Sequence, residues 1–109
     1  MDGYDQLGPE DQMVVQSLLD NGADLASPRS VWHYLYCPDE ATATVAARRL
    51  SDLGWTTEHH FLDGQTTWSV VSQRSAYVLT PEALAADLAA FQALASDLGC
   101  EYDGWEASI

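Results

Sequence analysis

Residues Trp55 to Val71 read WTTEHHFLDGQTTWSVV. Two β-prone runs, Trp55 to Leu62 and Thr66 to Val71, are separated by Asp63 and Gly64, a pair that tolerates the positive φ angles of a tight turn. The stretch therefore predicts a β-hairpin. Upstream, Asp39 can cap a helix over 40–53 in which Ala43, Ala46, Leu50 and Leu53 recur at helical spacing, with Gly54 as terminator. Downstream, Thr80 is an N-cap, Pro81 fits the first helical position, and Leu84, Leu88, Phe91, Ala95 and Leu98 form one stripe before Gly99. That predicts a helix over 81–98. A hairpin with a helix on each side leaves only the outer strands to be found.

VWHYLYC, Val31 to Cys37, is rich in β-branched and aromatic residues and stops at Pro38, so it reads as the first strand. The terminal EYDGWEASI, with Tyr102, Trp105 and Ile109, suits a last strand that Asp103 and Gly104 can interrupt with a bulge or turn. Pro9 opens a further helix over 9–21, with Met13, Val14, Leu18 and Leu19 on one face and Asn21-Gly22 as the stop. The resulting order is βαββαβ behind an N-terminal helix. This predicts an α+β, ferredoxin-like sandwich in which two helices cover one face of a four-stranded antiparallel sheet. The other face is left to the extra helix, a partner or water. The chain of 109 residues, 47% of them apolar, suits one domain over 1–109 with residues 1–8 flexible.

Seventeen carboxylates against four basic residues, all arginines, give a formal charge of −13. Such a field repels phosphate backbones and anionic membranes and steers basic protein surfaces, so it argues against nucleic acid and membrane partners. The same acidity also serves plain solubility. The alanine-rich run Ala83 to Leu98 is interrupted by Asp87 and Gln92 and is too short and polar to cross a bilayer. The N-terminus carries Asp2, Asp5 and Glu10 without a basic residue, unlike a secretory signal, which predicts a cytoplasmic location. Cys37 and Cys100 are far apart and in no CxxC pair, which in a reducing compartment favours buried free thiols.

LGCEYDGWEASI is similar to the end of the regulator of ribonuclease E activity B family, whose hallmark is a final strand containing EYDGW, here Glu101 to Trp105. The likeness extends to NGADL at Asn21 to Leu25, a strand bearing His33, the LGW turn at Leu53 to Trp55 and TPEAL from Thr80, covering nearly everything from Gln12 onward. The resemblance implies a ferredoxin-like fold and a non-catalytic regulator that binds an endoribonuclease of the ribonuclease E type and restrains it. The better-known members continue into a long, very acidic tail, whereas this sequence ends four residues past the motif at Ile109. That departure bears on the target more than on the fold.

Tyr and Trp are enriched among residues that dominate interface energy, so Tyr102 and Trp105 are candidate partner contacts, with core packing as the alternative. On a regular strand they face opposite sides unless Gly104 introduces a bulge. Glu101, Asp103 and Glu106 can accept from the arginines of a basic partner, or serve only the local backbone. Trp32, Tyr34 and Tyr36 on the first strand, with Trp68 on the third, have the layout of a base-stacking sheet, but neither strand-forming run carries a basic residue to hold phosphate. His33, Glu58, His59 and His60 are the one cluster with metal-ligand chemistry. Consecutive His59 and His60 point to opposite faces, and no HExxH or paired-cysteine spacing occurs. No metal, cofactor or catalytic residue is expected. Two other functions stay open: a toxin-neutralising immunity protein or similar acidic interaction domain, and a small enzyme using His59 or His60 as general base beside Glu58.

Overall fold

The computed structural model describes residues 3–61 and 67–109. Its elements are a short 3-10 turn at Tyr4–Gln6, then α1 (Pro9–Asp20), β1 (Arg29–Cys37), α2 (Glu40–Asp52), β2 (Thr56–Phe61), β3 (Trp68–Tyr77), α3 (Pro81–Leu98) and β4 (Glu101–Ala107). The caps do what their chemistry allows. Asp39 Oδ1 accepts from the Thr42 amide at 2.7 Å, and Thr80 Oγ1 from the Ala83 amide at 3.0 Å. Gly99 closes α3 in the left-handed conformation, φ 71°, which a Cβ would disfavour. The Asp63-Gly64 turn of the expected hairpin lies outside the described residues.

The sheet order is β2-β3-β1-β4, and each neighbouring pair is antiparallel. This is the ferredoxin-like arrangement with an additional N-terminal helix. Central β1 alternates strictly: Val31, His33, Leu35 and Cys37 are buried, while Trp32, Tyr34 and Tyr36 are half-buried on the opposite face. Beneath the buried row pack Ala43, Ala46 and Leu50 of α2 and Leu84, Leu88 and Phe91 of α3. Val15 and Leu18 of α1 join the same cluster, so the extra helix extends the helical layer. Within the stretch expected to be flexible, Tyr4 and Leu7 are buried, and Tyr4 Oη donates to the Leu79 carbonyl at 2.5 Å.

Two features differ from expectation. β3 continues beyond Val71 to Tyr77, because the polar SQRSAY segment is held by pairing with β1, from Trp32↔Gln73 to Arg29↔Tyr77. An irregularity in that pairing accompanies Ala76, whose φ is 52°. The second difference corrects the expectation of free thiols: Cys37 and Cys100 are joined as a disulfide, with Cα atoms 4.4 Å apart. The cause is register. Tyr36 pairs with Glu101, so the next step along the antiparallel ladder sets Cys37 opposite Cys100 despite a sequence separation of 63.

A cross-link closing so long a loop restricts the unfolded chain, and such bridges contribute about 2–4 kcal/mol. Cys100→Ser is expected to lower the denaturation free energy by that amount, and a strong reductant to do the same to the wild type but not to the variant. Denaturant titrations that reductant leaves unmoved would contradict this.

Candidate protein-binding face

β4 gains its shape from one extra residue. Tyr34 of β1 pairs with Gly104, yet the next residue, Leu35, pairs with Tyr102, so Asp103 is unmatched. Gly104 takes φ 103°, a backbone angle that a side chain would strain. The bulge turns Tyr102 and Trp105 to the same side, the helical one. Trp105 pairs with His33, is 6% exposed, and its Nε1 donates to Asp11 Oδ1 of α1 at 3.0 Å. Tyr102 is half-buried with its hydroxyl 2.7 Å from His33 Nδ1, and burial, followed by the charges of Asp11 and Asp87, pushes its pKa up. Glu101, Asp103 and Glu106 are exposed. Of the five candidate contacts, the three carboxylates stand at the surface and the two rings point into the core side.

His33 is central to that packing. It stacks on Phe91 at 4.2 Å between ring centres and meets Trp55 edge-on at 5.0 Å. Burial first, and the charge of Arg74 second, lower its pKa to about 3. A ring so held stays neutral at physiological pH. His59 and His60 point to opposite faces of β2: His59 lies beside Trp68, and His60 Nε2 is 3.3 Å from Glu58 Oε2. The His60–Glu58 pair is exposed on an edge strand, where water competes for both groups. Among the described residues, no group of three or more His, Cys, Asp or Glu side chains is placed to hold a metal ion.

The face opposite the helices carries a row that the sequence showed only as an alternation. Trp32, Tyr34 and Tyr36 stand at every second position of β1, about 7 Å apart. Their partners on β4 are Glu106, Gly104 and Glu101, and on β3 Gln73, Val71 and Ser69. Beyond β3, Glu58 of β2 pairs with Val71. Trp32, Thr56, Glu58, Val71 and Gln73 border a hollow of about 200 Å³. Tyr34 Oη donates to Glu106, and burial together with that carboxylate raises its pKa to about 12. Burial and the neighbouring Asp103 and Glu101 also raise Tyr36. Trp68 does not share this face. It pairs with Cys37 and is partly buried against the core on the helical side.

All four arginines are elsewhere. Arg29 is buried and donates to the carbonyls of Ser108 and Asp24, and Arg49 bridges to Asp97 at 2.8 Å. Arg74 lies over Trp55 and Tyr77 and donates to the Leu53 carbonyl, and Arg48 is on α2. The open face thus combines flat rings with carboxylates, and among the described residues it carries no lysine or arginine. Aromatic faces and carboxylates are the groups on which a guanidinium can stack and to which it can donate.

The sequence matches the profile of the family described as Regulator of ribonuclease activity B over residues 9–107. No curated protein sequence matches it.

The buried rings generate two expectations. Trp105→Ala leaves a cavity and an unpaired Asp11, and should destabilise the fold by about 3–5 kcal/mol in denaturant titrations; an unchanged midpoint would place the ring outside the core. For His33, the unfolded side chain takes up a proton near pH 6.5 while the folded one resists until about 3. Its contribution is therefore complete above pH 6.5 and declines as pH falls, at up to about 1.4 kcal/mol per pH unit. Asp87, raised by burial, works in the opposite direction, so the comparison must be with His33→Gln. Between pH 6 and 4 the variant should lose stability less steeply than the wild type. Parallel slopes would remove His33 as the cause.

Proposed function

The chain belongs to the regulator of ribonuclease activity B family, and from that membership and the open sheet face we propose that it restrains an endoribonuclease of the ribonuclease E type by direct contact, without chemistry of its own. The observation that carries the reading is the row Trp32, Tyr34, Tyr36, half-exposed and framed by Glu58, Glu101, Asp103 and Glu106. Its complement is an arginine-rich protein surface. A guanidinium can lie flat on a Trp or Tyr ring while its edge N–H groups donate to a flanking carboxylate, a geometry that lysine reproduces poorly.

The two kinds of residue do different work in this proposal. A charge of −13 raises the encounter rate with a basic surface, over a reach of about 8 Å at physiological ionic strength. The rings, once covered, set how long the complex lasts. Glu101, Asp103 and Glu106 are the proposed contacts on β4, and Tyr102 and Trp105 support them from beneath by holding the bulged strand. The role requires no cofactor and involves neither nucleic acid nor membrane directly. Among the described residues no helix is long and apolar enough to cross a bilayer.

The test is a ribonuclease E type enzyme cutting a fluorescent RNA, alone and with the purified chain. Cleavage should slow at saturation. In surface-binding kinetics, added salt should reduce the association rate about tenfold while changing dissociation little. Trp32→Ala or Tyr36→Ala should speed dissociation about 30-fold, as loss of a hot-spot ring does. Joint neutralisation of Glu101, Asp103 and Glu106 should chiefly slow association. Undiminished cleavage with no measurable association would overturn the reading.

A further inference from the structure

α1 and the end of β4 enclose an open groove of about 510 Å³ on a different part of the molecule from the aromatic row. Met13, Val14 and Leu18 form one wall, and Ala107 with Ile109 the other. Glu10 and Glu106 also line it. Burial of Val15 and Leu18 already accounts for the attachment of α1 to the core. Met13 adds nothing to that attachment, since it is 71% exposed, and Ile109 opposite is 73% exposed. Two large apolar side chains left so bare on facing walls form a patch rather than scattered exceptions. Methionine is also the side chain best able to adapt to varied apolar surfaces.

Charge narrows the occupant. α1 carries Glu10, Asp11 and Asp20 with no basic residue, β4 contributes Glu106, and none of the four arginines lines the groove. An acidic rim repels anionic lipid and also a second copy of this chain, which brings the same −13 charge. It favours a segment whose apolar side chains are bordered by lysine or arginine. α1 spans 12 residues, about 18 Å, enough to lie alongside two or three turns of a docked helix with apolar anchors at i, i+3 or i+4, and i+7.

We propose that the α1–β4 groove is a second docking site, which takes a cationic amphipathic helix of a protein partner with its apolar face against Met13, Val14 and Ile109. The inference rests on the reading that the chain binds basic protein, but it uses a separate surface. Glu106 belongs to both, since it accepts from Tyr34 on the sheet face and lines the groove. A partner could therefore engage the two surfaces continuously.

Two synthetic peptides of identical leucine–lysine composition test it, one with its leucines on a single helical face and one scrambled so that no face is apolar. At physiological salt, fluorescence titration should show the amphipathic peptide binding about tenfold more tightly than the scrambled one. Met13→Gln with Ile109→Ser should abolish that preference without moving the thermal transition, because both residues are exposed. Trp32→Ala should keep it. Equal affinities for the two peptides, or a preference that survives in the groove variant, would overturn the inference. Should the preference vanish in Trp32→Ala instead, the groove fails and the sheet-face reading stands. If the groove variant alone loses it while the ribonuclease is neither bound nor slowed, the groove stands and the ribonuclease reading fails.

Discussion

The unmatched Asp103 in β4 determines how the rest of the molecule can pack. With the register fixed by Leu35↔Tyr102 on one side, a strand of uniform alternation would send residue 105 to the face opposite Tyr102. The bulge restores both rings to the helical side, where Tyr102 reaches His33 and Trp105 reaches Asp11 of α1. α1 therefore has a hydrogen-bonded hold on the sheet in addition to Val15 and Leu18. The same shift puts Glu106 on the outer face, within reach of Tyr34. Gly104 meets the backbone demand of this arrangement, and nothing lies within 4 Å of where its Cβ would be. The constraint at that position is thus conformational rather than steric.

Electrostatic asymmetry is the second organising feature. Three of the four arginines are tied down by the fold: Arg29 under backbone carbonyls, Arg74 over the rings of Trp55 and Tyr77, and Arg49 paired with Asp97, while Arg48 is exposed on α2. The exposed Arg49–Asp97 pair adds little to stability, since water and salt screen it. The remaining carboxylates are spread over all three helices as well as β2 and β4, so with a net charge of −13 the molecule approaches any partner as an anion.

The sequence made the helix ends legible because their chemistry is local: Asp39, Pro81, Thr80 and Gly99 each act on the adjacent backbone. It made β1 legible through its β-branched and aromatic residues and the stop at Pro38, and the resemblance around EYDGW pointed to the family that the profile identifies. What it hid depends on pairing between distant segments. The Cys37–Cys100 bridge follows from the β1–β4 register, which no spacing rule conveys. The extension of β3 through Gln73 and Arg74 was hidden because polar residues there are held by their strand neighbours, with Arg74 covered by Trp55 and Tyr77. Gly104 allowed a bulge to be anticipated, but not the side to which it would turn Tyr102 and Trp105. The open face was obscured for a related reason: Trp32, Tyr34 and Tyr36 were visible as a row, yet only the placement of α1 with the other helices shows that nothing in the described chain covers them.

The placement of rings and charges on the proposed face follows from strand position. β1, like β3, is paired on both sides, so its backbone has no free edge and little freedom, and the rings of Trp32, Tyr34 and Tyr36 are carried on one of the two inner strands. Rings held that way lose less entropy when covered than rings on a loop would. The carboxylates sit on the edge strands β4 and β2, at Glu101, Glu106 and Glu58, where they stay hydrated until contact. A flat apolar centre inside a charged rim is the division found in protein interfaces, where central rings carry most of the binding energy and rim charges mainly govern approach. Here that division follows from the topology: a four-stranded order that puts the aromatic run at the centre necessarily places the acidic EYDGWE segment beside it at the edge.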